Sequence, residues 1–461
     1  MSKTTMKHMV MGLTIFVAAL MMLLAPSKNF QFWATIGIAT IMVVFWIFEV
    51  LPIYVTALLP LLLAVPLGVL DPSELAQAYG HKFVFLFFGG FMLSLALEKW
   101  GVHKRIAELI IRAIGNSKSR ILLGFLLATA LLSMWVSNTA TALMMLPMAM
   151  AVIDKIPQKK NSKFSLYLLL AIAYGASIGG MGTLVGSPPN VAMAGALSET
   201  YNINIEFIDW FKYGFPLSMI MIFIVYFYFR LLLRKERKEK IEELEFEKEP
   251  WTKNQIRVLA LFGVIVVLWS FKSLIEPSLG IKYGDEIPAV LGAILLFIVP
   301  STSKGKTLLE WKDTRKMAWG ILLLFGGGMA LAKMMDVNGV VDQLSEAFEN
   351  YRELSLGVIL LIFVSFSIFG TEVMSNLALV QVFVPIVAVF AVGSNDFSIL
   401  QLCMPVTLAA SCAFMLPVST PPNAIIFSSG RITVNQMVRV GFILNVVGVL
   451  IITLFSLIFI R

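Results

Sequence analysis

Long apolar runs follow one another along this chain and are separated by short polar or charged stretches. Most runs are 17 to 25 residues long, and a helix needs about 20 residues to cross the roughly 30 Å of hydrocarbon in a bilayer. Since lipid offers the backbone no hydrogen-bond partners, each run is predicted to be helical. The predicted spans are 9–25, 30–48, 53–70, 83–98, 121–153, 165–198, 212–232, 257–275, 286–300, 318–335, 356–392, 398–429 and 437–460. The pattern predicts an all-α polytopic membrane protein.

Two of these runs contain a polar island. The first tip, Ser133 to Thr141, interrupts the run 121–153, and the second tip, Thr371 to Leu377, interrupts the run 356–392. We predict that each run is a re-entrant helical hairpin that turns at its tip. If both hairpins enter and leave on one side, about eleven helices cross the membrane.

Each tip is followed by a Pro-Pro-Asn sequence within the next apolar span. The first break is Gly186 to Asn190 in the span 165–198, and the second break is Ser419 to Asn423 in the span 398–429. Proline is tolerated in the first turn of a helix but not in its interior, so a new helix is predicted to start at each break. A helix interrupted inside a membrane persists only where it is buried in protein or lines a wet cavity.

The tips and breaks belong to an internal repeat. Phe88-Gly89-Gly90 matches Phe325-Gly326-Gly327, and Ser137-Asn138 matches Ser375-Asn376; the matched features are separated by about 233 to 238 residues. Matching spans lie five spans apart, so they are predicted to cross in opposite directions. Inverted repeats with interrupted helices are typical of secondary transporters, whose substrate site lies near the middle of the membrane. The paired glycines are interpreted as close-packing surfaces rather than ligand contacts.

The distribution of basic residues predicts the orientation. The chain is 58% hydrophobic and 14% charged, with a net charge of +8. The basic loops, which hold 28 of the 36 lysines and arginines, are 1–8, 99–120, 155–163, 230–257, 300–316 and 429–439. By the positive-inside rule these loops are cytoplasmic, which predicts a cytoplasmic N-terminus and an external C-terminus. The positive charge is therefore an orientation signal in a bilayer protein and not a nucleic-acid surface.

The residue types at the tips and breaks suit small ions. A helix that begins inside the membrane offers free N–H groups and the positive end of its dipole to an anion such as a carboxylate. A helix that ends there offers carbonyl oxygens to a small hard cation such as Na⁺. Serine and asparagine side chains cap the new helix and add oxygen ligands. Neither tip and neither break contains a basic residue, which favours a substrate whose charge is balanced by co-transported cations.

Other kinds of chemistry have little support in the sequence. The string Gly-x-x-x-x-Gly-Lys-Ser/Thr is absent, so no nucleotide-phosphate site is predicted. His8, His81 and His103 lack the spacing of metal ligands, and neither a transition-metal site nor an organic cofactor is expected. Cys403 and Cys412 are placed on different faces of one predicted helix, so no disulfide is expected.

Two other function classes have less support in the sequence than transport. An intramembrane enzyme would need a nucleophile with its base or a metal-binding cluster, and neither is found, so no enzyme is predicted. A channel is disfavoured because two oppositely facing hairpins suit alternate occlusion better than a continuous pore. Glu372 in the second tip is a functional candidate by its position, and two interpretations stay open: a proton carrier, or a group solvated by a wet cavity.

The paired Ser-Asn tips, together with Gly-Ser-Pro-Pro-Asn and Ser-Thr-Pro-Pro-Asn, resemble the divalent anion:sodium symporter family. This family includes bacterial dicarboxylate transporters and the wider dicarboxylate, citrate and sulfate carrier group, and the resemblance extends from about residue 30 to 461. It implies a homodimer in which a rigid scaffold holds an elevator-type transport domain. It also implies symport of C4 dicarboxylates such as succinate with several Na⁺ ions.

The resemblance divides the chain into segments. The scaffold is expected in 1–120 and 257–355, the transport domain in 121–233 and 356–461, and a cytoplasmic linker in 234–256. In the transport domain the hairpins are 121–153 and 356–392, the broken helices are 165–198 and 398–429, and the last helix is 437–460.

The resemblance also assigns site residues. The first Na⁺ site is expected from Ser133, Ser137, Asn138 and Gly186, and the second from Thr371, Met374, Asn376 and Ser419. The substrate is expected to contact Asn138, Thr139 and Ser187 from one half and Asn376, Leu377, Thr420 and Pro421 from the other. Leu377 departs from the family pattern, because more symmetrical members carry threonine there. The departure leaves citrate, 2-oxoglutarate and sulfate open as substrates, and Na⁺-independent exchange open as a mechanism.

Overall fold

The computed structural model describes residues 3–155, 163–234, 236, 238–239, 250–348, 354–392 and 397–460. These residues are overwhelmingly helical, and their only β-type pairing is one isolated bridge between Pro300 and Thr307. The prediction of an all-α polytopic protein is confirmed.

Twenty-two α-helices make up the described part of the chain. Those of the first half are α1 (Lys3–Leu23), α2 (Phe30–Ile47), α3 (Ile53–Thr56), α4 (Leu59–Leu63), α5 (Pro72–Tyr79), α6 (Lys82–Lys99), α7 (Val102–Ile114), α8 (Lys118–Ser133), α9 (Asn138–Asp154), α10 (Phe164–Gly180), α11 (Pro188–Tyr201) and α12 (Phe207–Leu232). Those of the second half are α13 (Lys253–Ser270), α14 (Lys272–Leu279), α15 (Glu286–Ile298), α16 (Trp319–Val337), α17 (Val340–Ala347), α18 (Leu356–Gly370), α19 (Asn376–Val392), α20 (Ile399–Ala410), α21 (Pro421–Phe427) and α22 (Val434–Phe459).

Both tips and both breaks are helix ends, as predicted. The first tip separates α8 from α9, and the second separates α18 from α19. The first break starts α11 and the second starts α21, in each case with proline in the first turn. Polar residues in an apolar run therefore located the interruptions to within a few residues.

The predicted span 53–70 is wrong as a single helix. The segment forms the short helices α3 and α4, followed by turns. Pro52 has an extended backbone that starts α3 anew, and Pro60 lacks the N–H that would tie α4 to the helix before it. Apolar composition alone does not show whether a helix is continuous. The short helices α5, α7, α14 and α17 were also missed.

Seven helical stretches in the described part of the chain are long and apolar enough to cross a membrane by length and composition, and one of them joins α5 to α6. They are Thr4–Leu23, Ser27–Ile47, Pro72–Lys99, Phe207–Leu232, Lys253–Ser270, Trp319–Val337 and Val434–Phe459. Several shorter apolar helices, including those of both hairpins, accompany them. The count of about eleven crossings stays a prediction.

The first hairpin packs on α10, the most deeply buried helix. A side chain in place of Gly179 would put its Cβ 2.2 Å from the Ala130 carbonyl oxygen of α8, so only glycine allows this approach. The repeated glycines serve the same purpose, because a Cβ at Gly89 would lie 2.4 Å from the Ala289 backbone. Close packing is therefore confirmed for Gly89, which sets α6 against α15, and for Gly326 and Gly327. Gly90 has only an ordinary contact with Val185 and lines the cavity described below.

The two cysteines do not form a disulfide. Cys403 lies in α20, whereas Cys412 lies just beyond its end, and both are free and buried. Buried free cysteines of this kind pack as small apolar side chains.

Candidate functional site

A single cavity of about 720 Å³ lies where the two tips and the two breaks meet. The predicted site residues that line it are Ser137, Asn138, Thr139, Gly186, Ser187, Asn376, Leu377, Ser419, Thr420 and Pro421. Three of the predicted Na⁺ ligands, Ser133, Thr371 and Met374, do not line it. The structure therefore brings together residues that are more than 200 positions apart in the sequence.

The two tips have matching internal geometry. In the first, the Ser133 hydroxyl donates to Asn138 Oδ1 over 2.6 Å, and in the second the Thr371 hydroxyl donates to Asn376 Oδ1, also over 2.6 Å. Ser133 and Thr371 are both fully buried, which places them behind the asparagines, away from the cavity. Each asparagine is thus held by a buried hydroxyl while it faces the cavity.

The serine before each asparagine caps the helix that begins at the tip. Ser137 Oγ accepts a hydrogen bond from the Ala140 N–H, and Ser375 Oγ accepts one from the Ala378 N–H, both over 3.2 Å. These caps satisfy one of the free N–H groups of α9 and of α19. The next N–H groups, those of Thr141 and Leu379, bond to the carbonyl oxygens of the same two serines, both over 2.9 Å.

The asparagine of each Pro-Pro-Asn break ties down the loop that precedes it. Asn190 Nδ2 donates to the carbonyl oxygens of Gly180 (3.0 Å) and Thr183 (2.8 Å). Asn423 Nδ2 donates to the carbonyl oxygens of Ala413 and Leu416, both over 3.0 Å. Asn190 and Asn423 are fully buried, so they position the loops without touching the cavity.

Neutral oxygen atoms gather around Gly186 in the first half. A Cβ at Gly186 would lie 2.6 Å from the Gly180 carbonyl oxygen and 3.0 Å from both the Met134 carbonyl oxygen and Thr183 Oγ1. The Thr183 hydroxyl itself donates to the Met134 carbonyl oxygen over 2.6 Å. Carbonyl and hydroxyl oxygens at unwound helix ends are the donors that suit Na⁺ in transporters.

The second half offers a comparable set of oxygens at Thr371. Thr371 Oγ1 lies 2.6 Å from Asn376 Oδ1 and 2.9 Å from the Ala410 carbonyl oxygen. A hydroxyl has one proton and can donate to only one of these acceptors at a time. The oxygens here are neutral hydroxyl, amide and carbonyl groups, the kinds of donor that suit a small hard cation.

Glu372 is neither solvated nor at the cavity surface, so the wet-cavity interpretation is wrong. Its side chain is 3% exposed. Oε1 accepts hydrogen bonds from the N–H groups of Phe414 and Met415 and from Asn445 Nδ2, each over 2.8 Å, and Oε2 accepts one from the Leu416 N–H over 3.0 Å. The carboxylate therefore fixes the loop before the second break, a role that neither sequence interpretation named.

The remaining cavity wall comes from residues that the sequence reasoning missed. Aromatic side chains of Tyr54, Phe87, Phe91 and Trp135 form part of it. Aromatic residues are frequent in all membrane helices, so no local signal set these apart.

A polar part of the wall comes from the segments around α7 and before α16. Glu98, His103 and Lys316 line the cavity there, in or beside loops 99–120 and 300–316, which the charge distribution assigns to the cytoplasm. Burial lowers the pKa of His103, whose Nδ1 lies 3.0 Å from the Leu97 carbonyl oxygen, so its imidazole is neutral near pH 7. The cavity thus extends from the tips toward the side with the basic loops.

The described residues contain no group of three or more His, Cys, Asp or Glu side chains placed to hold a metal ion. The oxygens at the tips and breaks are carbonyl, hydroxyl and amide groups, a different donor set from that of a transition-metal centre.

Residues 3–461 match the family described as the sodium:sulfate symporter transmembrane region. The chain belongs to this family. The sodium:sulfate symporters are transporters, so the expected resemblance and the prediction of a membrane transporter rather than an enzyme are confirmed.

Individual relatives agree with the family. The chain is 36% identical to the sodium-dependent dicarboxylate transporter SdcS of Staphylococcus saprophyticus over 478 residues, covering 97% of this chain and 89% of the relative. It is also 36% identical to SdcS of Staphylococcus aureus (strain USA300) over 447 residues, covering 91% and 84% of the two chains.

Two solved structures share the fold at low sequence identity. The YdaH transporter of Alcanivorax borkumensis superposes with a TM-score of 0.60 at 12% identity, covering 84% of this chain and 89% of that one. MtrF of Neisseria gonorrhoeae gives a TM-score of 0.59 at 10% identity, covering 100% and 95%. At such identities the likeness supports the fold alone.

Proposed function

We propose that this sodium:sulfate symporter family member couples the inward movement of Na⁺ to the uptake of C4 dicarboxylates such as succinate. The single observation that carries the proposal is the convergence of both tips and both breaks on one cavity. The SdcS relatives, named as sodium-dependent dicarboxylate transporters, support the same ion and substrate class.

The anion would bind among helix N-termini and uncharged side chains. The first residues of α9, α11 and α19, namely Asn138, Pro188 and Asn376, all line the cavity. The dipole ends of all three helices and the backbone N–H groups that begin α9 and α19 stabilise negative charge. The start of α11 contributes its dipole but no N–H from its first two residues, which are prolines. Lys316 is the cation in another part of the cavity wall. The proposed substrate contacts are Asn138, Thr139, Ser187, Asn376, Leu377, Thr420 and Pro421.

The Na⁺ ions would bind beside the anion and balance its charge. The proposed first site uses oxygens of Ser133, Ser137, Asn138 and Gly186, and the proposed second site uses those of Thr371, Met374, Asn376 and Ser419. The short contacts from Ser133 to Asn138 and from Thr371 to Asn376 support these two centres. Opposite charges at contact distance attract strongly where little water is present, so each ion favours binding of the other.

An elevator movement of the two transport segments, 121–233 and 356–461, would carry the cavity across the membrane. Its wall joins residues of these segments to Tyr54, Phe87 and Ile321 of the proposed scaffold, which is the arrangement that sliding requires. We further propose a homodimer in the cytoplasmic membrane, built on the scaffold helices, with the N-terminus inside and the C-terminus outside.

Purified protein in proteoliposomes tests the proposal directly. We expect uptake of radiolabelled succinate to require an inward Na⁺ gradient and to need no internal anion, with citrate, 2-oxoglutarate and sulfate compared in parallel. Uptake that ignores Na⁺ and depends on internal dicarboxylate would replace symport with exchange. Na⁺-driven uptake of sulfate in preference to succinate would replace the substrate class, and Asn138→Ala protein provides the background level.

A further inference from the structure

A second cavity lies where α8 begins and α12 ends, at the opposite end of α8 from the first tip. Its volume is about 460 Å³, and its lining includes Ser117, Ser119, Arg120, Tyr226, Arg230 and Lys238. Three of these side chains are cationic and no lining residue is acidic. It lies between the basic loops 99–120 and 230–257, and so at the surface that the charge distribution assigns to the cytoplasm.

The acidic residues nearest in sequence to Lys238 form ion pairs with a residue outside the cavity wall. Glu236 and Glu239 both pair with the buried Lys118, at 2.7 and 2.9 Å. The Lys118 N–H also donates to the Glu239 carbonyl oxygen over 2.9 Å. This clamp holds the segment after α12 against the start of α8 and leaves Lys238 in the cavity wall.

The three cations themselves have no carboxylate partner within the described ranges. Arg230 lies over the Tyr226 ring, 6.0 Å from its centroid, and the side chains of Arg120, Arg230 and Lys238 are exposed. Unneutralised cations gathered around one cavity attract an anion, and arginine binds phosphate through two parallel N–H groups.

Neutral donors complete the cavity. Ser119 Oγ and Tyr226 Oη are hydrogen-bonded over 3.0 Å, and both residues are buried. Ser117 caps the 16-residue helix α8, accepting from the Arg120 N–H, and the positive dipole end of that helix adds to the attraction. The set combines multiply charged donors with hydroxyls, which is the chemistry that recognises a phosphate group.

We propose that this cavity binds a phosphate group at the cytoplasmic face of the transporter. The group has two possible sources, an anionic phospholipid headgroup and free phosphate, because both present negatively charged phosphate oxygens. A phosphate bound there contacts both the start of α8 and the segment that follows α12. It therefore stabilises the same packing of these two segments as the ion pairs of Lys118 with Glu236 and Glu239.

Calorimetric titration of the detergent-solubilised full chain tests the proposal and separates the sources. Soluble short-chain phosphatidylglycerol, matched phosphatidylcholine and inorganic phosphate are the three probes. We expect phosphatidylglycerol or inorganic phosphate to bind, and Arg120→Gln and Arg230→Gln each to weaken that binding about tenfold, the loss expected for one charge-assisted hydrogen bond. Arg439→Gln, which removes an exposed arginine outside the cavity, should leave it unchanged.

The outcomes are decisive in both directions. Stronger binding of phosphatidylglycerol than of inorganic phosphate identifies the lipid as the source, and the reverse identifies the free ion. No binding of either anion, or an equal loss in Arg439→Gln, would overturn the proposal. Binding that disappears in Asn138→Ala would belong to the central cavity and would also overturn it. Because no transport is measured, failure here leaves the proposed symport untouched.

Discussion

The first tip, between α8 and α9, and the second, between α18 and α19, present their asparagines to the cavity in the same way and are supported in different ways. Each asparagine oxygen accepts from a buried hydroxyl at 2.6 Å, and each break asparagine binds two carbonyls of the preceding loop. The first loop is otherwise held by neutral groups, such as Trp210 Nε1 donating to the Met181 carbonyl oxygen. The second loop is held by the buried carboxylate of Glu372. The residue at the corresponding position of the first repeat is Met134, which has no carboxylate.

The comparison distinguishes the hydrogen bonds of the tip asparagines, which are the same in both halves, from the contacts that hold the neighbouring loops, which differ. The hydrogen bonds within the two tips are duplicated, and both tips contribute to one cavity. The supports are not duplicated, since a loop can be fixed either by neutral hydrogen bonds or by one carboxylate that accepts four. A buried charge is costly unless it is fully paired, so the second half is expected to be the more sensitive to changes in its support.

The largest effect is expected from the duplicated part. Asn138→Ala and Asn376→Ala should each lower Na⁺-driven succinate uptake at least about tenfold, because each loses a cavity amide that would bind charged ligands. Asn138→Ala also removes the acceptor of the buried Ser133 hydroxyl, whereas in Asn376→Ala the Thr371 hydroxyl keeps the Ala410 carbonyl oxygen. Initial uptake rates in proteoliposomes at matched protein content provide the measurement.

Asn29→Ala is the matched control, because Asn29 is exposed and lies outside the cavity. Normal uptake in both tip variants would remove the asparagines from the site. A loss in one variant alone would show that the two halves do not contribute equally.

Exchanging Gly186 and Ser419, the first residues of the two breaks, tests whether the two proposed Na⁺ sites depend on their surroundings to the same extent. Gly186→Ser brings a Cβ within 2.6 Å of the Gly180 carbonyl oxygen, so we expect it to lose most transport. Ser419→Gly removes the hydroxyl that donates to the Leu416 carbonyl oxygen and accepts from Asn423 Nδ2. Because Asn423 keeps its two carbonyl partners, we expect a change of only about 1 kcal/mol, or about fivefold in affinity. The Na⁺ concentration that gives half-maximal uptake measures both. Equal effects would show that the oxygens near Gly186 have no special role.

Glu372→Gln tests the asymmetric support. The amide replaces one acceptor oxygen by an NH₂ group facing backbone N–H donors, so we expect a loss of stability of about 1 to 3 kcal/mol. A thermal-unfolding assay of the purified protein measures this loss, with Glu346→Gln as an exposed control. Because the group is a structural acceptor here, the pH profile of the remaining uptake should match the parent protein. A flattened profile would instead support the proton-carrier interpretation.

The sequence predicted the interruptions well and their surroundings poorly, for physical reasons. Clustered polar residues are costly inside an apolar helix, and two adjacent prolines fit only at a helix start, so the tips and breaks carry a strong local signal. Single prolines are a weaker signal, since Pro147 and Pro385 lie inside α9 and α19. The partners of Glu372 include the Phe414 N–H, 42 residues away, and Asn445, 73 residues away. A backbone N–H has no sequence signature at all, so such contacts emerge only when the chain is folded. Lys316 in the cavity wall was missed for the same reason.

Leu377 is a difference between the two repeats that lies in the cavity wall. We expect the smallest effect on transport from substitutions at this position. Its side chain is 7% exposed and lines the cavity, at the repeat position of Thr139. Leu377→Thr would restore a hydroxyl to that side, and one added hydrogen bond of about 1 kcal/mol should raise the apparent succinate affinity about fivefold.

Thr139→Leu is the reciprocal variant and should lower the affinity by a similar factor. Competition of unlabelled succinate and sulfate against radiolabelled succinate measures both variants on the same scale. If Leu377 instead packs against the carbon chain of the substrate, Leu377→Thr would weaken succinate while leaving sulfate unchanged, because sulfate has no apolar part to contact. The direction of the change in this one variant therefore decides whether the second half recognises the substrate through a missing hydroxyl or through an apolar surface.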